Sequence, residues 1–267
     1  PAESPPVGCS QQDFWSGHIG RMRMAVEQAA LLSLPAEKEL TVMETPKFER
    51  GAIPQAGYIP APPLEKKSRA FFCFTPGLGQ DEETGPANNA EGYSEYQAML
   101  TVIRELYPGR HTLLTACRPV GAGALYLPPQ LVLENGWCKY VCELLLENRL
   151  IREPDLKMLI YHEHLVDAHR VLADIRLHCG GIDEDRAIAD LVESTGMSEQ
   201  AARFEVRKLA GSPTASVGAM LGRIQIRKLR NEYKKKTGEE FSLRRFHDRF
   251  LELCWLPLAV LRRRLIE

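Results

Sequence analysis

No apolar run in the chain approaches the ~20 residues that a membrane-spanning helix requires, and no Cys-x-x-Cys pair occurs in it. A basic excess is missing too: 34 Lys and Arg face 35 Asp and Glu, for a formal net charge of -1 and a pI near 6.8. A general nucleic-acid binder carries such an excess, so that class is disfavoured. Proline is scarce beyond the first third, since eleven of the eighteen prolines fall before residue 90. The first third is therefore broken into short pieces and the rest is free to form long ones. The chain begins at Pro1 rather than at a methionine, so targeting is not readable from its start.

What is present is ordinary for a globular protein: 267 residues, 44% hydrophobic and 26% charged. A chain of this length buries roughly three-quarters of the surface it exposes when unfolded, so it needs neither disulfide nor metal to hold together. Seven scattered cysteines, at 9, 73, 117, 138, 142, 179 and 254, read as buried free thiols, which points to a reducing, cytoplasmic setting. Cys138 and Cys142 stand at i,i+4 spacing inside an apolar stretch.

The pattern predicts a mainly α protein in two portions. Residues 1–92 form an irregular portion with one helix, about 11–34, and short extended pieces at Leu40–Met43 and Arg69–Phe74 that pair as edge strands. Asp81–Gly92 reads as a loop. Residues 93–267 are helical, with helices at 93–106, 110–117, 128–148, 154–178, 183–194, 198–209, 214–237, 242–252 and about 257–265. Ser198 and Ser242 supply helix starts and Pro154 suits a first turn. The two portions are expected to form one continuous fold.

Chemistry-bearing residues fall in four segments: Arg104-Glu105-Leu106-Tyr107-Pro108-Gly109-Arg110-His111, Asn135-Gly136-Trp137-Cys138-Lys139-Tyr140, Asp174-Ile175-Arg176-Leu177-His178 and Phe246-His247-Asp248. In this order and at these separations they resemble the C-terminal half of the bacterial family called domain of unknown function 885. Its members look like zinc-dependent peptidases, mostly helical and about twice this length. The resemblance implies a zincin-related, peptidase-like fold and a pattern H-E-x-x-P-G-H-H, E-G-W-A-L-Y, D-T-G-I-H, P-G-Q-A-x-x-Y-K-x-G and F-H-D.

Carried over residue by residue, Arg104 stands for the first His, Glu105 for the base, Arg110 and His111 for the paired histidines, and Asn135 for the glutamate ligand. Gly136, Trp137 and Tyr140 match. Arginine does not lose its proton in a protein and cannot coordinate zinc, so the family's zinc loses its ligands and no cofactor is expected. Ala215, Ala219 and Met220 stand where the family has Gln, Tyr and Lys.

Glu105, His111 and His178 are the candidate vestigial catalytic residues, with Asp174 placed to orient His178. Arg104, Arg110, Asn135 and Tyr140 are the candidate ligand-binding residues, and converging guanidiniums would suit a small anion. Against that stands a salt-bridged remnant, in which Glu105 and nearby acids neutralise the arginines. His162, His164 and His169 read as surface or helix-packing side chains: His162 and His169 stand about 10 Å apart along the helix axis, too far for one metal. The basic runs Arg223–Lys236 and Arg262–Arg264 lack interleaved aromatics and read as solvated helix faces. Gly121–Ala124 lacks the Lys-Ser/Thr ending of a phosphate loop.

The leading expectation is a catalytically inactive relative that serves as a binding or partner subunit, paired with an active relative, a companion N-terminal half or another enzyme. The alternatives are a metal-independent enzyme acting on a small anionic substrate, and an active zinc hydrolase with shifted ligands, in which His111 and His178 meet Glu105 or Glu134.

Overall fold

A computed structural model describes residues 10–35, 40–51, 53, 55–62, 69–75, 94–117 and 131–267. The Asp81–Gly92 loop and the Gly121–Ala124 stretch lie outside them. Ten α-helices and three short strands follow one another among the described residues: α1 Gln11–Ala29, β1 Leu40–Glu44, β2 Ala56–Ile59, β3 Ala70–Phe74, α2 Glu95–Glu105, α3 Arg110–Ala116, α4 Leu131–Glu147, α5 Pro154–His178, α6 Glu184–Thr195, α7 Glu199–Ala210, α8 Ala215–Thr237, α9 Leu243–Leu253 and α10 Leu258–Ile266. The mainly α architecture stands.

Start signals explain most helix boundaries. The Ser10, Ser198 and Ser242 hydroxyls accept from the backbone N–H three residues on, as does the Asp183 carboxylate. Ser94 and Gln97 form a full capping box. Helix α1 stops short of residue 34, because Ala30 turns left-handed at φ 49°. The chain then swings Leu31 and Leu32 into the core.

The sheet has the order β1-β3-β2, with β1 parallel and β2 antiparallel to β3. Strand β3, expected at an edge, is central. Ala70, Phe72, Cys73 and Phe74 are all buried, and such a nearly continuous apolar run suits a strand flanked on both sides. Trp15 of α1 stacks edge-on against Phe72 at 5.1 Å. These residues share one core with Ile103, Leu113, Trp137, Tyr140, Phe246 and Phe250, so the irregular portion and the helices pack as one body. A smaller cluster of Ala187, Ile188, Leu191, Ala202 and Val206 holds the α6–α7 hairpin.

Helices α4 and α8 pack backbone against backbone. A Cβ on Gly136 would lie 2.6 Å from the Arg223 backbone nitrogen, and one on Gly222 would overlap the Val132 carbonyl oxygen. Each glycine exists to let the other helix's backbone in. Gly109 is fixed similarly, because a side chain there would strike the Arg104 carbonyl at the end of α2.

The cysteine reading holds in part. Cys73, Cys138 and Cys142 are buried free thiols and Cys179 is an exposed one. Cys117 and Cys254, however, form a disulfide across a separation of 137 residues. They cap the C-terminal ends of α3 and α9, and their Cα atoms stand 6.3 Å apart, within reach of a bridge.

Candidate functional site

The turn between α2 and α3 positions the first group of predicted residues. The buried indole of Trp137 donates from Nε1 to the Pro108 carbonyl at 2.9 Å and the Gly109 carbonyl at 3.2 Å. This pins the turn on α4 and brings Arg110 over Glu134 and Asn135. Arg110 donates through Nε to Glu105 at 2.9 Å, through Nη1 to Glu134 and through Nη2 to the Asn135 side-chain oxygen at 3.4 Å. Its neighbour Arg104 donates to Glu163 of α5 at 3.0 Å.

The pairing continues away from the turn. Lys139 reaches Asp167 at 2.8 Å and Glu163 at 3.6 Å, and Arg170 bridges Asp167 at 3.2 Å and Glu205 at 2.9 Å. Four cations thus interleave with five carboxylates along a seam joining α2, α3, α4, α5 and α7. Burial alone would raise the Glu163 carboxyl, but Arg104, Lys139 and Arg170 outweigh it and hold it below the usual carboxylate range. Asp167 is lowered in the same way, against burial, chiefly by Lys139. Cys138, buried beside this seam, has its thiol pushed up to about 12 by desolvation despite Arg110. It is an inert packing group rather than a nucleophile.

Of the two arrangements weighed for these residues, the contacts match the salt-bridged one: Arg110 is engaged by Glu105, Glu134 and Asn135, and Arg104 by Glu163. The predicted set does not assemble as a whole. Arg104, Glu105, Arg110 and Asn135 meet. His111 is buried, with Nδ1 3.1 Å from the Tyr58 hydroxyl of β2 and between the Tyr58 and Tyr107 rings. His178 is oriented by Asp174 as anticipated, with Nδ1 3.0 Å from the carboxylate. It stands fifteen residues beyond Glu163 on α5, roughly 22 Å along the axis, and does not join Glu105.

Tyr140 points elsewhere, into a second polar group built on the Phe246-His247-Asp248 segment. The buried His247 ring donates from Nδ1 to the Leu31 carbonyl at 2.7 Å, which leaves Nε2 to accept from the Tyr140 hydroxyl at 2.7 Å. Arg230 donates to the same hydroxyl at 3.3 Å and pairs with Glu147 at 2.7 Å. Asp248 accepts from the Ser33 backbone at 2.7 Å and from its hydroxyl at 2.9 Å. The Phe246-His247-Asp248 segment therefore staples α9 to the chain leaving α1. Its sequence signal was the match of Phe246-His247-Asp248 to the F-H-D pattern. Arg230 and Arg223, the latter bonded to Glu143 at 2.8 Å, lean inward on α4 rather than forming the solvated face expected of them.

His162 donates from Nε2 to the Thr195 carbonyl at the end of α6, at 2.8 Å. It is a helix-packing histidine. Among the described residues no three His, Cys, Asp or Glu side chains are grouped so as to hold a metal, and no helix is long and apolar enough to cross a membrane.

The Arg110 cluster yields a stability prediction. Arg110→Met removes the cation shared by Glu105 and Glu134 while keeping much of its volume. Because these side chains are about four-fifths buried, the loss should be roughly 2–4 kcal/mol, near that of breaking a buried pair. Urea unfolding reads it, and adding Glu134→Gln should recover part of the loss. Wild-type stability in Arg110→Met would mean that the carboxylates do not depend on it.

The chain belongs to the family described as bacterial protein of unknown function (DUF885), which matches residues 11–265. Two solved structures are similar to it. One, provisionally described as a lipoprotein of unknown function from Shewanella oneidensis, is 24% identical with a TM-score of 0.78, and the match covers 97% of this chain and 46% of that one. The other, a protein from Colwellia psychrerythraea with the same provisional lipoprotein description, is 21% identical with a TM-score of 0.76, covering 94% and 41%. The chain thus spans less than half the length of either, and the likeness concerns the fold. No curated protein matches the chain. The expectation of a reducing, cytoplasmic setting is corrected here. Both relatives carry a lipoprotein description, which goes with export or membrane anchoring, and the Cys117–Cys254 disulfide is a bond that persists in oxidising compartments.

Proposed function

We propose that this chain is a non-hydrolytic member of its family, in which an ion-paired cluster replaces a zinc site, and that it works outside the cytoplasm as a binding or partner subunit. The observation that carries this reading is Arg110, bonded at once to Glu105, Glu134 and Asn135. A catalytic zinc site takes about three His, Cys or carboxylate ligands and keeps one open position. At the corresponding positions here, two residues are permanent cations and the third is an amide turned towards one of them. Glu105, the would-be base, is spent on the same guanidinium. Neither guanidinium can coordinate zinc, and the carboxylates beside them are already paired. The residues do not fit the metal, so no step is routed through one.

Arg110's bonds to Glu105, Glu134 and Asn135 support this reading over the anionic-substrate alternative, which needs guanidinium donors facing a cleft. The distance of His178 along α5 from Glu105 and Glu134 supports it over the shifted-ligand zinc hydrolase.

Elemental analysis of the purified chain, with a peptidase assay on the same sample, tests the reading. No stoichiometric zinc and no hydrolysis are expected, before or after incubation with zinc. A stoichiometric zinc whose removal by a chelator abolishes peptide hydrolysis would overturn it.

A further inference from the structure

Charge is unevenly spread along the chain. Residues 223–267 hold thirteen of the 34 Lys and Arg but six of the 35 Asp and Glu, so the rest carries twenty-one cations against twenty-nine acids. A net charge near zero therefore conceals a basic end and an acidic body, an asymmetry that points to an anionic surface as partner. The basic residues belong to α8, α9 and α10, which pack on one another. Tyr233 of α8 meets the Phe246 ring of α9 at 5.6 Å, and Arg262 of α10 pairs with Glu232 of α8 at 2.8 Å. Two of the thirteen, Arg223 and Arg230, turn to Glu143 and Glu147 of α4. The other eleven are exposed.

Internal pairing does not neutralise this end. Arg244, Arg249, Arg262 and Arg263 have carboxylate partners in Asp248, Glu252, Glu232 and Glu267, and Lys234 lies over the Phe241 ring at 5.6 Å. Arg227, Lys228, Lys235, Lys236, Arg245 and Arg264 form no ion pair among the described residues. The acids left to oppose them are Glu239 and Glu240, both exposed on the turn after α8. Arg244, Arg245 and Arg249 share one open hollow of about 420 Å³, which Ser242, Asp248 and Glu252 also line; three guanidiniums against two carboxylates leave it cationic. Trp255, 38% exposed, continues that side of α9, since Arg245, Arg249, Glu252 and Trp255 follow four-, three- and three-residue steps. Val260 is exposed beside the basic triplet of α10. Cations spread over several helices, with a tryptophan at their margin, are the make-up of a surface that rests on anionic headgroups. Single-stranded nucleic acid would call for aromatics interleaved among the cations. The corrected setting, outside the cytoplasm, also puts a bilayer within reach.

We infer that the basic end built from α8, α9 and α10 docks on the anionic headgroups of a lipid bilayer, with Trp255 at headgroup depth. The inference goes beyond the proposed function and stands whether or not the zinc site is retired. Docking in this way turns the acidic body away from the bilayer, so the chain is oriented as well as held.

Co-sedimentation of the full chain with lipid vesicles tests it. The chain should bind vesicles of equal parts phosphatidylglycerol and phosphatidylcholine, leave them in roughly 0.5 M salt, and ignore phosphatidylcholine alone. Binding should shift tryptophan emission to the blue, and Trp255→Phe should abolish the shift, because Trp15 and Trp137 are fully buried. Lys235→Gln, Lys236→Gln and Arg245→Gln together should weaken binding by roughly tenfold or more, at about fivefold for each cation lost near a charged surface. All three are exposed and outside any ion pair, so the triple variant should keep its circular dichroism spectrum. Arg207→Gln with Lys208→Gln is the control. Both are exposed in the last turn of α7, next to the start of α8, whereas Lys235 stands roughly 30 Å further along that helix; the control should bind as the native chain does. Equal binding to neutral vesicles, no binding to either kind, or equal losses in the triple variant and the control would overturn the inference. Binding without a blue shift, or a shift that survives Trp255→Phe, would do the same. So would capture by polyglutamate or duplex DNA without capture by vesicles, which would assign these cations to an acidic protein or a nucleic acid.

Discussion

Gly222→Ala should cost roughly 3 kcal/mol or more, while Gly218→Ala, four residues earlier on the same helix, should be neutral or stabilising. Alanine is favoured over glycine by about 1 kcal/mol inside a helix, so both substitutions begin with the same small gain. At Gly218 the added methyl meets only a Val132 methyl at 3.4 Å, an ordinary contact, and the gain survives. At Gly222 the methyl falls on the Val132 carbonyl and 3.0 Å from the Gly136 Cα. Those are backbone atoms of another helix, so no rotamer change relieves the overlap. Overpacking that moves backbone costs 1–3 kcal/mol or more, and here α4 would have to retreat. Retreat would also loosen Trp137 from the Pro108 and Gly109 carbonyls, and with it the turn that holds Arg110. Urea denaturation of the two variants side by side is the measurement. Similar midpoints for both would mean that α4 and α8 do not cross at these glycines.

The second large effect is on pH. Burial, with Arg230 nearby, holds the His247 imidazole down to about 4, even though its bond to the Leu31 carbonyl works against the shift. In the unfolded chain the same ring titrates near 6.5. Above about 6.5 it is neutral in both states and the stability is fully present. As pH falls towards 4 the unfolded chain takes up a proton that the folded chain refuses, and roughly 3 kcal/mol is lost across that window. Protonation would also put an N–H where the Tyr140 hydroxyl proton now points. His18, held down to about 4 by burial and by Arg21, pushes in the same direction. His178, raised by its bonds to Asp174, pulls the other way. Unfolding free energies measured between pH 4.5 and 7 should fall steeply with acid for the native chain and less steeply for His247→Phe, although the variant is less stable at pH 7. Parallel curves would show that His247 does not carry the dependence.

Helix boundaries were legible because their causes are local. Ser198 and Ser242 stand immediately before the helices they cap, and apolar spacing marks the buried faces of α6 and α7. The retained Gly136 and Trp137 also made sense locally, as packing signals around a turn. Partners were not legible. Arg104 finds Glu163 at a distance of 59 residues, and no spacing rule selects that carboxylate over a dozen others. The tract holding Glu163 drew attention only for its histidines, which hid the acid facing inward. Strand β2 was missed because Ala56-Gly57-Tyr58-Ile59 is too short and too rich in small residues to show alternation. The Cys117–Cys254 bridge left no local trace at all.

That bridge gives the chain a topology as well as a clamp. Everything from α4 to the end of α9 lies between its two ends, including both close-approach glycines and all but the first carboxylate and two arginines of the ion-paired seam. The folded region is therefore a covalently closed ring. A protease that cuts one of the connections at 148–153, 179–183 or 211–214 opens the ring without releasing a fragment, because the sulfur bond still joins the two pieces. In a compartment where proteases are plentiful, a nicked copy would keep its mass and its packing.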